Sequence, residues 1–334
     1  MSMKTDSRHD PRIAVIGGGT GLSTMLRGLK KLSRSITAIV TVADDGGGSG
    51  MLREDLGMPP PGDVRNCLQA LANTEPIMEQ LLAYRFTEGS LKGQSFGNLF
   101  LAALNGMSET FDEAVRRMSD VLAITGRVLP VSNENVYLAA DFDDGSEVVG
   151  ESRIADFKKG TDKRISRVHL IPERPRALPQ AIEAISAADM IVLGPGSLYT
   201  SIMPNLVTDG VAEAIAKSDA FKIYVLNVMT QDGETEGYTA SDHIEALFSN
   251  SGEHLFDWCL ANSLAIPEEI AAKYRAEGAE PVEIDDDAVY KLGVGVLRAP
   301  VASWAKGLVR HDPDRLSREL MRVYREKSHT RVYL

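Results

Sequence analysis

Four glycines in five positions, Gly17-Gly-Gly-Thr-Gly21, follow the apolar run Ile13–Ile16 and lead into Leu22, Met25, Leu26 and Leu29 at helical spacing. Backbone N–H groups close on an anion only where side chains do not intervene, and the amino end of the following helix adds partial positive charge. Gly17, Gly18, Gly19, Thr20 and Gly21 are therefore candidate phosphate ligands. The spacing is not a dinucleotide fingerprint, because G-x-G-x-x-G read from Gly17 ends on Leu22 and read from Gly19 ends on Thr24. It is not a P-loop either, since no Gly-Lys-Ser/Thr follows.

The same chemistry recurs twice. Ile36–Val42 opens into Ala43-Asp-Asp-Gly-Gly-Gly-Ser-Gly50, and Met190–Leu193 opens into Gly194-Pro-Gly-Ser-Leu-Tyr-Thr-Ser201. Gly46 and Gly47 extend the first loop's character, while Gly194, Gly196 and Ser197 can form a nest of N–H groups, with Thr200 and Ser201 following as donors. Asp44 and Asp45 beside a phosphate cradle suit Mg²⁺ or a ligand hydroxyl. For Asp45, a turn role that satisfies its own backbone stands open beside the metal role. Arg65 and Asn66 fall in the first turn of a helix capped by Asp63, where a cation opposes the helix dipole unless it faces an anion. Asn98, with Ser95, reads equally as a helix cap or a donor to the site. Asn227 and Thr230 follow a further strand and are ligand candidates, whereas Thr239 and Asp242 make a capping box that places His243 inside a helix rather than in a base's position.

Elements that would position these loops are legible as β-branched runs at Ile13–Ile16, Ile36–Val42, Met190–Leu193 and Phe221–Asn227, separated by helical stretches. Ligands of open parallel sheets collect at the strands' carboxyl ends, so the three loops describe one site. The expected architecture is α/β, a Rossmann-like, mostly parallel sheet with helices on both faces. Residues 121–172 change texture: Asn135–Phe142, the turn Asp143-Asp-Gly145 and a return strand Glu147–Ile154 suggest a β-hairpin lobe near the middle. The expected organisation is one nucleotide-binding domain over 12–327, between tails at 1–11 and 328–334.

Length and charge narrow the function classes. The 334 residues suffice for a large buried core, and 47 acidic against 36 basic residues give a net charge of -11. That balance argues against broad binding to nucleic acid or anionic lipid, so a phosphate ligand must be held locally. No apolar stretch is long enough for a membrane span, and the polar start Met1–Pro11 has no signal core, so a cytoplasmic protein is expected. Cys67 and Cys259 lie in apolar surroundings far apart and read as buried thiols.

The ordered motifs Gly17-Gly-Gly-Thr-Gly, Thr41-Val-Ala-Asp-Asp-Gly-Gly, Pro59-Pro-Pro-Gly-Asp-Val-Arg-Asn66, Gly97-Asn98, Gly194-Pro-Gly-Ser-Leu-Tyr-Thr-Ser201, Asn227-Val-Met-Thr-Gln231 and Gly237-Tyr-Thr-Ala-Ser-Asp-His243 closely resemble the YvcK-like gluconeogenesis factors. These belong with the 2-phospho-L-lactate transferases of deazaflavin cofactor synthesis (CofD). The resemblance covers Arg12 to Tyr324. It departs at Gly48, where the family commonly has serine, and at Phe96, where leucine is usual.

Two functions follow from the resemblance. The YvcK-like branch implies a UDP-sugar-binding regulator, with UDP-N-acetylglucosamine as a representative ligand, linked to cell shape, cell-wall precursor supply and growth on gluconeogenic carbon sources. By position, Tyr274 and Arg310 inherit the roles of holding that ligand. A protein of cell-wall synthesis is the partner this branch implies, and a homo-oligomer is left open. The transferase branch implies Mg²⁺-assisted transfer of a lactyl phosphate from a guanosine diphosphate derivative to a deazaflavin alcohol, with Asp45 as the catalytic candidate and Asp44 and Asp45 as metal ligands. The modest aromatic content, 6%, tilts towards the regulator. A third reading, an NAD-dependent oxidoreductase, rests only on strand, glycine turn and helix.

Overall fold

In a computed structural model, which describes residues 10–328 except Gly160, the β-branched runs form the expected strands. β1 (Ile13–Gly17) passes into α1 (Gly19–Leu29), whose Leu22, Met25, Leu26 and Leu29 are buried. β2 (Ile36–Val40) leads to α2 (Gly47–Leu56), so the second glycine loop ends early and its last glycines lie in a helix. The helices α3 (Gly62–Leu71), α4 (Pro76–Ala83), α5 (Phe96–Gly106) and α6 (Phe111–Val121) follow. Ser95 caps α5 by accepting the Asn98 N–H at 3.3 Å, the cap role the sequence left open.

The middle of the chain departs from the sequence reading. Arg127–Pro130 is β3, a strand of the main sheet and not part of a lobe. β4 (Tyr137–Phe142) and β5 (Glu147–Val149) form the expected hairpin, but the return strand stops at Val149 and residues to Lys159 form α7 (Glu151–Lys159). Gly150, at φ +106°, turns the chain out of the ladder in a conformation L side chains avoid. β6 (Ile165–Ile171) pairs with β4 and completes a three-stranded antiparallel sheet.

The second half continues through α8 (Pro179–Ser186), β7 (Met190–Leu193), a π-turn at Leu198–Ile202, α9 (Met203–Leu206), α10 (Val211–Lys217), β8 (Phe221–Val225), α11 (Ala240–Ser251), β9 (Trp258–Asn262) and α12 (Glu268–Ala276). The short α13 (Asp286–Lys291) has no counterpart in the sequence reading. β10 (Gly295–Ala299), the small ladder of β11 (Ala302–Ser303) with β12 (Arg310–His311), and α14 (Pro313–Ser328) complete the described chain. The expected tail positions 1–9 and 329–334 lie outside the described residues.

The central sheet has seven strands in the order β10-β9-β8-β7-β1-β2-β3, all parallel. Connections run one way from β1 and the other way from β7. With right-handed crossovers this puts α1 and α3 on one face and α10 and α11 on the other. α14 returns to pack on α1. Here Gly28 permits close approach, since a Cβ on it would lie 2.0 Å from the Pro313 carbonyl oxygen. β1 and β7 are neighbours where the strand order reverses, and a crevice opens beyond their carboxyl ends.

Candidate functional site

The crevice is a cleft of about 800 Å³, within the range of small-molecule and cofactor sites. Its floor is the meeting of the first and third glycine loops. A Cβ on Gly21 would lie 2.6 Å from the Pro195 carbonyl oxygen, and one on Gly196 would lie 3.3 Å from that of Gly18. The glycines therefore serve first to let two backbones touch. Gly17, Gly18 and Gly194 lie in this support, while Gly19, Thr20, Gly21, Gly196 and Ser197 face the cleft.

Asp44 faces the cleft and accepts from the Gly46 N–H at 2.8 Å. Asp45 does not line it: its Oδ1 accepts from Ser152 N and Oγ at 2.9 and 2.8 Å, which ties it to the first turn of α7. The carboxylate that joins Asp44 at the cleft is Asp63, read from sequence as a helix cap. It accepts from the Gly19 N–H across the fold. Desolvation and the neighbouring Asp44 charge push Asp63 up to about 7, outweighing the Gly19 N–H and the positive charge of Arg65. Glu151, at the start of α7, is pushed well above the usual carboxylate range by desolvation and by Asp44 and Asp63.

Gly46, Gly47, Arg65, Asn66, Asn98 and Thr200 stand behind or outside the lining. Arg65 Nε donates to Asn98 Oδ1 at 3.1 Å, and the Asn98 amide nitrogen lies 3.5 Å from Ser49 Oγ, so these side chains brace the Asp44 loop. Thr200 is buried, and its hydroxyl lies beside the carboxyls of Glu234 and Glu151. Glu234, itself buried, faces the N–H groups of Leu198, Tyr199 and Thr200. Neither carboxyl oxygen has a hydrogen-bond partner among the described residues. The chain's own carboxyl thus covers the amides that begin the π-turn, and burial pushes it up to about 7.

The far wall carries Asn227, Thr230, Tyr274 and Arg310. Asn227 Nδ2 donates to the Gly196 carbonyl at 2.9 Å, and Thr230 Oγ1 accepts from Glu280 N at 2.8 Å. Tyr274 OH accepts from Val309 N at 2.8 Å, leaving its ring as the element available to a ligand. Arg310 donates to its neighbour's carbonyl and has no carboxylate partner among the described residues. His243 is buried in α11, with Nδ1 2.7 Å from the Thr239 carbonyl, and the Thr239–Asp242 capping box is formed. Gln231, the last residue of the Asn227–Gln231 motif, also lines the cleft, as do Thr24, Glu151, Lys159 and His311, which carried no distinguishing pattern in the sequence.

The family model described as "2-phospho-L-lactate transferase CofD" matches residues 13–302, nearly all of the chain. The chain belongs to the CofD family. It is 53% identical over 313 residues to the "Putative gluconeogenesis factor" of Thermoanaerobacterium thermosulfurigenes, covering 94% of this chain and 97% of that one. It is 47% identical over 317 residues to the "Gluconeogenesis factor" of Bacillus subtilis, covering 95% and 99%. Among solved structures it resembles protein BH3568 of Bacillus halodurans, with a TM-score of 0.91, 46% identity and coverage of 94% and 100%.

This CofD-family chain has a larger cavity, of about 1070 Å³, at the amino ends of β7, β8 and β9 among Asp189, Phe221 and Trp258. None of the glycine loops lines it, and the switch-point cleft is the one whose walls combine backbone amides, paired carboxylates and an unpaired arginine. No helix among the described residues is long and apolar enough to cross a membrane.

Proposed function

We propose that the chain is a UDP-sugar-binding regulatory protein of the gluconeogenesis-factor type, tied to cell shape and cell-wall precursor supply on gluconeogenic carbon sources. The carrying observation is Arg310, a guanidinium without a carboxylate partner among the described residues that lines the same cleft as Gly19, Gly21 and Gly196. A diphosphate spans those two features, and the Tyr274 ring offers a face to a base or sugar. A protein of cell-wall synthesis would read the liganded state in the cytoplasm.

The second reading is a Mg²⁺-dependent transferase of the 2-phospho-L-lactate type. Asp44 and Asp63 favour it, since two hard carboxylates that repel one another fit a divalent cation, which when bound would offset charge on a leaving diphosphate. The Ser152 hydrogen bonds to Asp45 Oδ1 favour Asp63 over Asp45 as the second carboxylate of that set. Against a deazaflavin acceptor, Tyr274 is the only phenylalanine, tyrosine or tryptophan on the cleft lining among the described residues.

Calorimetric titration with UDP-N-acetylglucosamine, GDP and NAD, each with and without Mg²⁺, separates the readings. Selective UDP-sugar binding without turnover supports the regulator. A Mg²⁺-dependent preference for GDP moves the assignment to the transferase, and binding of neither refutes both.

A further inference from the structure

Asn205, on α9, is fully buried and outside the cleft lining, yet its amide joins the segments that build the cleft. An amide nitrogen carries two N–H donors. Here it reaches the Gly17 carbonyl oxygen at 3.1 Å and the Ser201 carbonyl oxygen at 2.9 Å. The Gly17 carbonyl also accepts from Thr41 N at 3.0 Å, so its two lone pairs serve β2 and Asn205 together. One side chain thereby connects the end of β1, through it the end of β2, and the π-turn after β7.

The bond falls where the regular ladder has run out. Gly194 N donates to the Ile16 carbonyl at 2.9 Å, and the next residue, Pro195, has no N–H to give. Beyond that point Gly21 and Pro195 meet through close backbone packing, which resists compression but not separation. A directed hydrogen bond supplies the missing restraint.

We propose that Asn205 is a positioning residue for the phosphate cradle, holding Gly18–Gly21 against Pro195–Ser201 so that their amides converge on one anion. This rests on the reading of the cleft as a nucleotide-sugar site. A purely local role, satisfying a carbonyl of the π-turn, would leave the glycine loop after β1 undisturbed, and that difference is measurable.

The test is hydrogen–deuterium exchange and UDP-N-acetylglucosamine titration of the full chain and of Asn205→Leu, which keeps the approximate volume and removes both donors. The expected result is faster exchange in residues 18–22 and 196–202 together, with β8 and β9 still protected, and a dissociation constant raised about tenfold. Faster exchange in the π-turn alone, or affinity within about twofold of wild type, would overturn the proposal. If the wild type binds no nucleotide sugar, the functional reading fails, and the joint exchange of the two loops alone decides the role of Asn205. Should the leucine variant not fold, Asn205→Asp takes its place: it donates only when protonated, so its affinity relative to wild type falls between pH 5 and pH 8. A ratio to wild type unchanged across that range counts against the assignment.

Discussion

The carboxyl of Asp63 occupies the space that a side chain on Gly18 would need: a Cβ there would lie 2.5 Å from Asp63 Oδ2 and 2.6 Å from Thr41 Cγ2. Gly18 has an extended backbone at φ -169°, so the requirement is steric and not conformational. Gly18→Ala should lower stability by about 1 to 3 kcal/mol through overpacking and weaken nucleotide binding by displacing Asp63. Chemical denaturation and titration of the same variant check both. Wild-type stability in the alanine variant would show that Asp63 moves aside at little cost.

Asp45 and Asp44 are adjacent in sequence and opposite in role. Asp45→Ala removes both hydrogen bonds to Ser152 and should cost about 1 kcal/mol, as loss of a helix cap does. It should leave any Mg²⁺ dependence of binding intact. Asp44→Asn should instead abolish that dependence. Calorimetric Mg²⁺ titrations of the two variants with nucleotide present compare them, and loss of the Mg²⁺ response in Asp45→Ala would restore Asp45 to the metal set.

Glu234 makes stability depend on pH. Burial holds its proton in the folded chain to about pH 7, whereas the unfolded carboxyl releases it near its ordinary value of 4.5. Between those values the native state binds more protons than the unfolded state, so this residue's contribution to stability falls as pH rises, and levels off above about 7. Glu234→Gln should flatten that part of the profile, gaining more at pH 8 than at pH 5 relative to wild type. Denaturation midpoints at both pH values read the difference, and an equal shift at both would place the residue's proton release elsewhere.

The strands were legible because β-branched runs bounded by glycine have few other uses, and the order of motifs was enough to expect one crevice. The contacts within it were not. Asp63 follows three prolines and a glycine at the start of a helix, a local pattern that predicts a cap; its partner, Gly19 N–H, is brought to it only by packing of α3 on α1. Glu151 sat inside a stretch that alternates like a strand, and the turn at Gly150 that makes it a helix start depends on leaving the β4 ladder. Asn205 and Glu234 belong to no pattern, since a buried amide or carboxyl is defined by the backbone it meets. Glycines at a strand's end mark places of close approach, but for Gly18 and Gly21 what approaches is the protein itself.

Arg310 offers the cleanest separation of binding from folding. It is exposed, and its hydrogen bond is to the carbonyl of its own neighbour Val309, so truncation breaks no contact with another element. Arg310→Ala should therefore change stability by no more than about 0.5 kcal/mol. If the guanidinium meets a diphosphate, the same change should weaken UDP-sugar binding by about 1.5 to 3 kcal/mol, the range for a hydrogen bond to a charged group. Part of that loss should disappear at high salt, because screening diminishes the wild-type contact. Lysine at this position would keep the charge but not the planar fork, so recovery by Arg310→Lys would assign the contact to charge alone, and failure to recover would assign it to bidentate geometry. An unchanged titration for Arg310→Ala would remove Arg310 from the site and, with it, the observation on which the regulatory reading rests.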